Sequence, residues 1–163
     1  MAQQERRISS WAMLAGFIAL CLAVGAVGGW ITARSVTEWY PTLTKPAWTP
    51  PNSLFGPVWT ALYIMMAFAA WLVWRKDARF AGVRVALILF FVQLALNFLW
   101  SFLFFGLKAP GLALIDIAAL LLVLALTVWA FFQQSRWAGL IMLPYLAWVG
   151  FATALNFAIW RLN

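Results

Sequence analysis

Charged residues divide this chain into five long apolar runs. Between Arg7 and Arg34 lie 26 uncharged residues, between Lys45 and Arg75 29, between Arg84 and Lys108 23, and between Arg136 and Arg161 24. The 27 residues between Lys108 and Arg136 carry one charge, on Asp116. A helix rises 1.5 Å per residue and needs about 20 apolar residues to cross about 30 Å of hydrocarbon. Each run is therefore long enough to span once and too short to span twice. The pattern predicts helices over about 11–33, 54–74, 80–105, 111–133 and 137–160, with a long first loop over 34–53. In lipid the backbone must satisfy its own hydrogen bonds, which leaves helices or a closed barrel. Barrel strands alternate polar and apolar positions, and the unbroken apolar run Ile117–Leu126 does not. The expected fold class is all-α: a five-transmembrane-helix bundle, an integral membrane protein with one domain over 1–163.

Composition agrees. The chain is 66% hydrophobic and 9% charged, against roughly 45–50% and 25% for an ordinary soluble domain. A net charge of +7 invites a nucleic-acid reading. The basic residues, however, sit singly or in short clusters between apolar runs, as membrane loops do, so no nucleic-acid partner is expected. With five spans, Arg6, Arg7, Arg75, Lys76, Arg79, Arg84 and Arg136 share one side, and Arg34, Lys45, Lys108 and Arg161 the other. That asymmetry predicts a cytoplasmic N-terminus. Arg6 and Arg7 before an apolar run, with Ala23-Val24-Gly25 behind, also resemble a signal peptide, although the run exceeds a usual signal core.

The chain has no histidine and one cysteine, Cys21. That removes His-based metal sites, imidazole haem ligands and Ser-His-Asp triads, so no metal site is expected. What remains is polar groups placed inside apolar helices. Gln93, Asn97 and Ser101 recur at i, i+4 and i+8 and share one face of the third helix. Two readings fit: interhelical glue, or a polar stripe lining a ligand cavity. Trp148, Ala152 and Asn156 repeat the spacing on the fifth helix after Pro144 and Tyr145, and Trp59 and Tyr63 are i and i+4 on the second. Ordinary packing accounts for these aromatics. If the three faces converge, they enclose an aromatic chamber suited to a flat, amphipathic ligand. Asp116 is the one carboxylate inside a span, either a ligand or proton site or a structural hydrogen-bonding group. Ala15, Ala19 and Ala23, and separately Cys21, Gly25 and Gly29, form small-residue stripes on the first helix. Such stripes permit close backbone approach within or between chains. Pro41, Pro46, Pro50 and Pro51 stiffen the first loop. Its Trp39, Tyr40 and Trp48 fit either an interfacial aromatic belt or a lid.

The stretch Trp39-Tyr40-Pro41-Thr42-Leu43-Thr44-Lys45-Pro46-Ala47-Trp48-Thr49-Pro50-Pro51 resembles the first-loop signature of the TspO/MBR family of tryptophan-rich sensory and translocator proteins. It leads into Phe55-Gly56-Pro57-Val58-Trp59-Thr60-Ala61-Leu62-Tyr63, a second matching block. Gln93-Leu94-Ala95-Leu96-Asn97-Phe98-Leu99-Trp100-Ser101, Asp116, Pro144-Tyr145-Leu146-Ala147-Trp148 and Phe151-Ala152-Thr153-Ala154-Leu155-Asn156 continue the likeness to Trp160-Arg161. The first helix agrees in length and place but carries little motif. Members of the family keep that helix, which disfavours cleavage. The resemblance implies a five-helix bundle, usually a homodimer, in a bacterial membrane, with a pocket closed by the first loop. It implies no covalently bound cofactor and porphyrin or haem as ligand, with sterols and benzodiazepine-type drugs as further partners. Carried over position by position, the ligand-binding residues are Tyr40, Trp59, Tyr63, Asn97, Ser101, Trp148 and Ala152. Trp59 and Trp148 would act catalytically only in a light-driven, photo-oxidative breakdown of protoporphyrin IX. Transport of small amphipathic ligands is a further alternative. The animal sterol motif has tyrosines where this chain has Phe157 and Ala158, which weakens the case for animal-type sterol binding.

Overall fold

A computed structural model describes residues 2–76 and 80–163, with side chains described from residue 10 onward. Arg6, Arg7 and Arg79, which enter the charge asymmetry, lie outside the described side chains. The helices are α1 (Ala2–Glu38), α2 (Asn52–Trp74), α3 (Ala81–Ser101), α4 (Pro110–Gln134) and α5 (Arg136–Leu162). Among the described residues, five helices are long and apolar enough to cross a membrane. Pro110 opens α4, where its missing N–H costs nothing. Ser135 caps α5, its Oγ accepting from the Ala138 amide at 3.4 Å.

α1 begins at Ala2, ahead of the expected start at about 11, and two further boundaries differ from those expected. α1 runs on to Glu38, so the first loop is 39–51 rather than 34–53. Arg34 ends the apolar run, but a charge does not stop a helix; Pro41 is the first residue that cannot continue one. The loop then opens with a 3₁₀ turn, Tyr40–Thr42. At the other place, α3 passes at Phe102 into a π-helical turn that ends at Gly106. Leu107 N donates to Phe102 O at 2.8 Å, and Lys108 takes φ 54° to turn the chain toward α4. Such turns widen a helix by one residue per turn and re-aim the side chains that follow.

Neighbouring helices close a ring in the order α1, α2, α5, α4, α3 and back to α1. Lipid gives little hydrophobic drive between spans, so close packing and hydrogen bonds must hold them. Fully buried Ala67, Ala70, Ala86, Ala113 and Ala138 let backbones approach, and Phe90, Phe131, Met66 and Met142 fill the space between them. Trp30, Ile115, Leu122 and Trp129 face outward.

A buried polar chain joins three helices. The Tyr63 hydroxyl donates to Asn97 Oδ1 at 2.5 Å, Asn97 Nδ2 donates to the Tyr145 hydroxyl at 2.9 Å, and that hydroxyl donates to Gln93 Oε1 at 2.9 Å. A second set ties α3, α5 and α4: Trp100 Nε1 donates to Asn156 Oδ1 at 3.0 Å, and Asn156 Nδ2 to Pro110 O at 2.8 Å. Gln93 and Asn97 are thus interhelical glue, while Ser101 on the same stripe has another role. Asn97→Leu would leave both tyrosine hydroxyls short of a partner where no water can replace it. The expected loss is about 1–3 kcal/mol for each orphaned group, so Asn97→Leu, which strands both hydroxyls, should cost more than Tyr63→Phe, which strands Asn97 Oδ1 alone. Thermal unfolding in detergent reads the difference, and an unchanged midpoint for Asn97→Leu contradicts the assignment.

Candidate ligand cavity

A cavity of about 480 Å³ lies between α1, α2, the C-terminal end of α3 and the first loop. It falls within the range of about 300–1,000 Å³ usual for small-molecule sites. Its two long walls are opposite in character. α2 supplies rings: Phe55, Trp59 and Tyr63. Trp59 is held by neighbours on three helices, its centroid 5.9 Å from Tyr63, 6.3 Å from Trp100 and 6.2 Å from Tyr145. α1 supplies small residues over its middle stretch, Gly25, Ala26, Gly28 and Gly29, with Leu22 on one side of them and Thr32 and Val36 on the other. At Gly25 the backbone presses against the Tyr63 ring, where a Cβ would come within 2.6 Å of two ring carbons. At Gly29 a Cβ would meet nothing within 4 Å.

Trp100, Ser101 and Phe105, from the C-terminal end of α3 and the turn that follows, form the α3 side of the cavity. The π turn places Phe104 and Phe105 against Tyr40, with centroids 6.4 and 5.9 Å away. Ser35 Oγ on α1 donates to Phe105 O at 2.5 Å and fixes that turn. Tyr40 covers the cavity from the loop and is 3% exposed. Burial pushes its hydroxyl above the usual tyrosine range, so the lid residue stays neutral at physiological pH. Lys45 Nζ lies 4.9 Å from the Tyr40 ring centroid and donates to Tyr40 O at 2.7 Å and Leu43 O at 2.9 Å. At the end of α5, Asn163 pairs with Thr44 in both directions, each bond 3.0 Å.

Of the residues expected at the site, Tyr40, Trp59, Tyr63 and Ser101 line the cavity. Asn97 sits behind the wall, 99% buried, and holds the Tyr63 hydroxyl. Trp148 and Ala152 lie outside the lining. Trp148 packs against Phe55 at 6.1 Å and Phe151 at 5.6 Å, and its buried Nε1 has no acceptor among the described residues. The faces of α2, α3 and α5 do meet, around Trp59, Asn97 and Tyr145, but they meet as packed core. The space opens on the other side of Trp59, toward α1. Phe55, Trp100, Phe105 and the α1 glycines line the cavity without having been expected at the site. The one available signal was Cys21, Gly25 and Gly29, which also reads as a packing stripe. Asp116 is buried on α4 and does not line the cavity; its Oδ2 has no partner among the described residues. Ala15, Ala19 and Ala23 face outward.

Residues 17–161 match the family described as TspO/MBR. The chain belongs to that family. It is 46% identical over 154 residues to the tryptophan-rich protein TspO of Archaeoglobus fulgidus, covering 92% of this chain and 96% of that one. To the tryptophan-rich sensory protein of Cereibacter sphaeroides it is 42% identical over 153 residues, covering 94% and 92%. To the translocator protein of Sus scrofa it is 39% identical over 145 residues, covering 86% of each. This TspO/MBR chain is accordingly a multi-pass membrane protein. The two cavity glycines separate close contact from open space. Gly25→Val should displace the Tyr63 ring and lower stability by about 1–3 kcal/mol, as overpacking does, whereas Gly29→Val should leave the unfolding midpoint nearly unchanged. Equal losses in the two variants contradict the wall described.

Proposed function

We propose that this TspO/MBR protein binds a tetrapyrrole, protoporphyrin IX or haem, in the cavity beneath Tyr40 and acts in sensing, regulating or moving porphyrins at the membrane. The observation that carries this reading is the shape of the cavity: a stretch of small residues, Gly25, Ala26, Gly28 and Gly29, framed by Leu22, Thr32 and Val36, lies across from rings at Phe55, Trp59 and Tyr63. A slot with one flat face and one aromatic face suits a planar conjugated ligand, which gains apolar and stacking contact without reshaping either side. The porphyrin association of the family supports the same reading. Sterol-like and benzodiazepine-type ligands are apolar enough to use the slot as well.

Among the described residues the lining holds no charged side chain. Lys45 is committed to Tyr40 and Leu43, and Arg34 is exposed and outside the lining. Porphyrin carboxylates therefore stay at the loop end, beside Asn52, where the first amides of α2 favour negative charge. Ser101, Thr32 and Thr60 add polar contacts along the slot. One observation supports a light-driven, photo-oxidative activity as a second reading. Trp59 stands in the wall among three oxidisable rings. On that reading Trp59 meets the macrocycle and Trp148, one ring further back, does not.

Saturable quenching of tryptophan fluorescence by protoporphyrin IX tests the proposal. Loss of an aromatic stacking partner costs about 1–3 kcal/mol, so Trp59→Ala should weaken binding about tenfold or more. Trp148→Ala should change it far less. Unsaturable quenching, or equal losses in the two variants, sinks the proposal.

A further inference from the structure

We infer that ligand reaches this cavity sideways from the bilayer, through a portal between α1 and α2, and not from water past the first loop. The inference rests on the reading of the cavity as the ligand site.

The loop end is shut by several independent fastenings. Tyr40 is buried over the cavity; Lys45 holds its carbonyl and ring, and the Thr44–Asn163 pair ties the loop to the end of α5. Trp39 and Trp48 add edge-to-face contacts with Phe104 and Phe151, each with centroids 5.7 Å apart. Opening this end for a macrocycle means breaking most of these at once.

The α1–α2 side has none of this. Five residues both line the cavity and are exposed: Asn52 at the loop end, and four along the seam between the two helices, Ala26 and Gly29 of α1 and Gly56 and Thr60 of α2. A residue that faces inward and outward together marks a mouth. All four are small, and a Cβ added at Gly29 or Gly56 would meet nothing within 4 Å. The hydroxyl of Thr60 is turned back onto Gly56 O at 2.9 Å, so it presents no unpaired donor to lipid.

Depth decides which solvent the mouth faces. Ala26 and Gly29 precede the end of α1 at Glu38 by 12 and 9 residues, or about 18 and 14 Å of helix rise. Gly56 and Thr60 follow the start of α2 at Asn52 by 4 and 8 residues, about 6 and 12 Å. All four lie inside spanning segments, at the level of acyl chains.

The helix pair is also fastened at one end only. Near the far end of α1, Trp71 Nε1 donates to Ser10 O at 2.8 Å and Trp11 stacks on Trp71 with centroids 5.7 Å apart. No other side-chain hydrogen bond links α1 to α2 among the described residues. A pair pinned at one end and held at the other by ring-on-glycine contact can part at the cavity end while the bundle stays intact. The chemistry that fits is a flat, bilayer-partitioning amphiphile that slides in edge-on, with its charged edge near the headgroups.

A portal residue changes how fast ligand exchanges; a lining residue changes how tightly it binds. Full-length protein in phosphatidylcholine vesicles, mixed with protoporphyrin IX in a stopped-flow fluorimeter, separates the two. The double variant Gly29→Phe, Gly56→Phe places rings in the open mouth. Both residues also line the cavity, so the test reads rates and not affinity: association and dissociation should both slow by about tenfold, a barrier effect of one decade. Asn163→Ala, which unfastens the loop, should leave both rates as they are. Unchanged rates or faster release in the double variant, or faster exchange in Asn163→Ala, overturns the portal. Absent saturable quenching in the wild type defeats the ligand-site reading itself. A second readout does not depend on the phenylalanines: Gly29→Cys should react with a bilayer-partitioning maleimide and be protected by protoporphyrin IX. Cys21 is buried and serves as the silent background. Reaction that ligand does not slow also overturns the portal.

Discussion

No water is available inside a bilayer to take over a polar group that loses its partner, and the architecture follows from that constraint. Tyr63, Asn97, Tyr145 and Gln93 can be buried together only if each serves the next, and doing so fixes α2, α3 and α5 relative to one another. α1 takes no part in that chain. It meets α2 through Gly25 against the Tyr63 ring and, near its other end, through the Trp71–Ser10 hydrogen bond and the Trp11–Trp71 stack, and meets the π turn through the Ser35 hydroxyl. The bundle therefore has a rigid three-helix side and a loosely fastened fourth wall. The cavity lies where the two meet.

This division explains how one small chain keeps a sizeable space open in an otherwise close-packed protein. An aromatic wall collapses into a void unless something holds it back. Trp59 is kept upright by Tyr63, Trp100 and Tyr145, and Tyr63 is kept upright by Asn97. Opposite, the glycines have no side chains with which to fill the gap. Above, the π turn brings Phe104 and Phe105 under Tyr40, and Lys45 fastens the loop over it. The supports come from α2, α3, α5 and the first loop, so residues far apart in sequence share in holding the space.

That separation sets how much was legible beforehand. The five spans could be read because charge is excluded from hydrocarbon, so Arg7, Arg34, Lys45 and the rest bracket them directly. The end of α1 could not, because a charge limits the apolar run and leaves the helix free to continue to Glu38. The π turn has no periodic signature; Phe102–Gly106 reads as one more apolar turn until Ser35 is seen bonded to Phe105. The family likeness carried Tyr40, Trp59, Tyr63 and Ser101 to the cavity wall. It gave Trp148 and Ala152 the same standing, yet Phe55 stands between the cavity and Trp148. Spacing had grouped α2, α3 and α5 correctly as neighbours but could not tell a packed face from a hollow one. The α1 wall was least visible, since a glycine that permits close packing and one that leaves open space look alike in sequence.

The central claim is positional: the ligand lies between the small-residue stretch of α1 and the rings of α2. A structure of the protein with protoporphyrin IX bound tests it most directly. The account predicts macrocycle density against Trp59 and Gly25–Gly29, with Tyr40 over it and the carboxylates toward Asn52. Density between α2 and α5 against Trp148, or on the outer surface of the bundle, contradicts it.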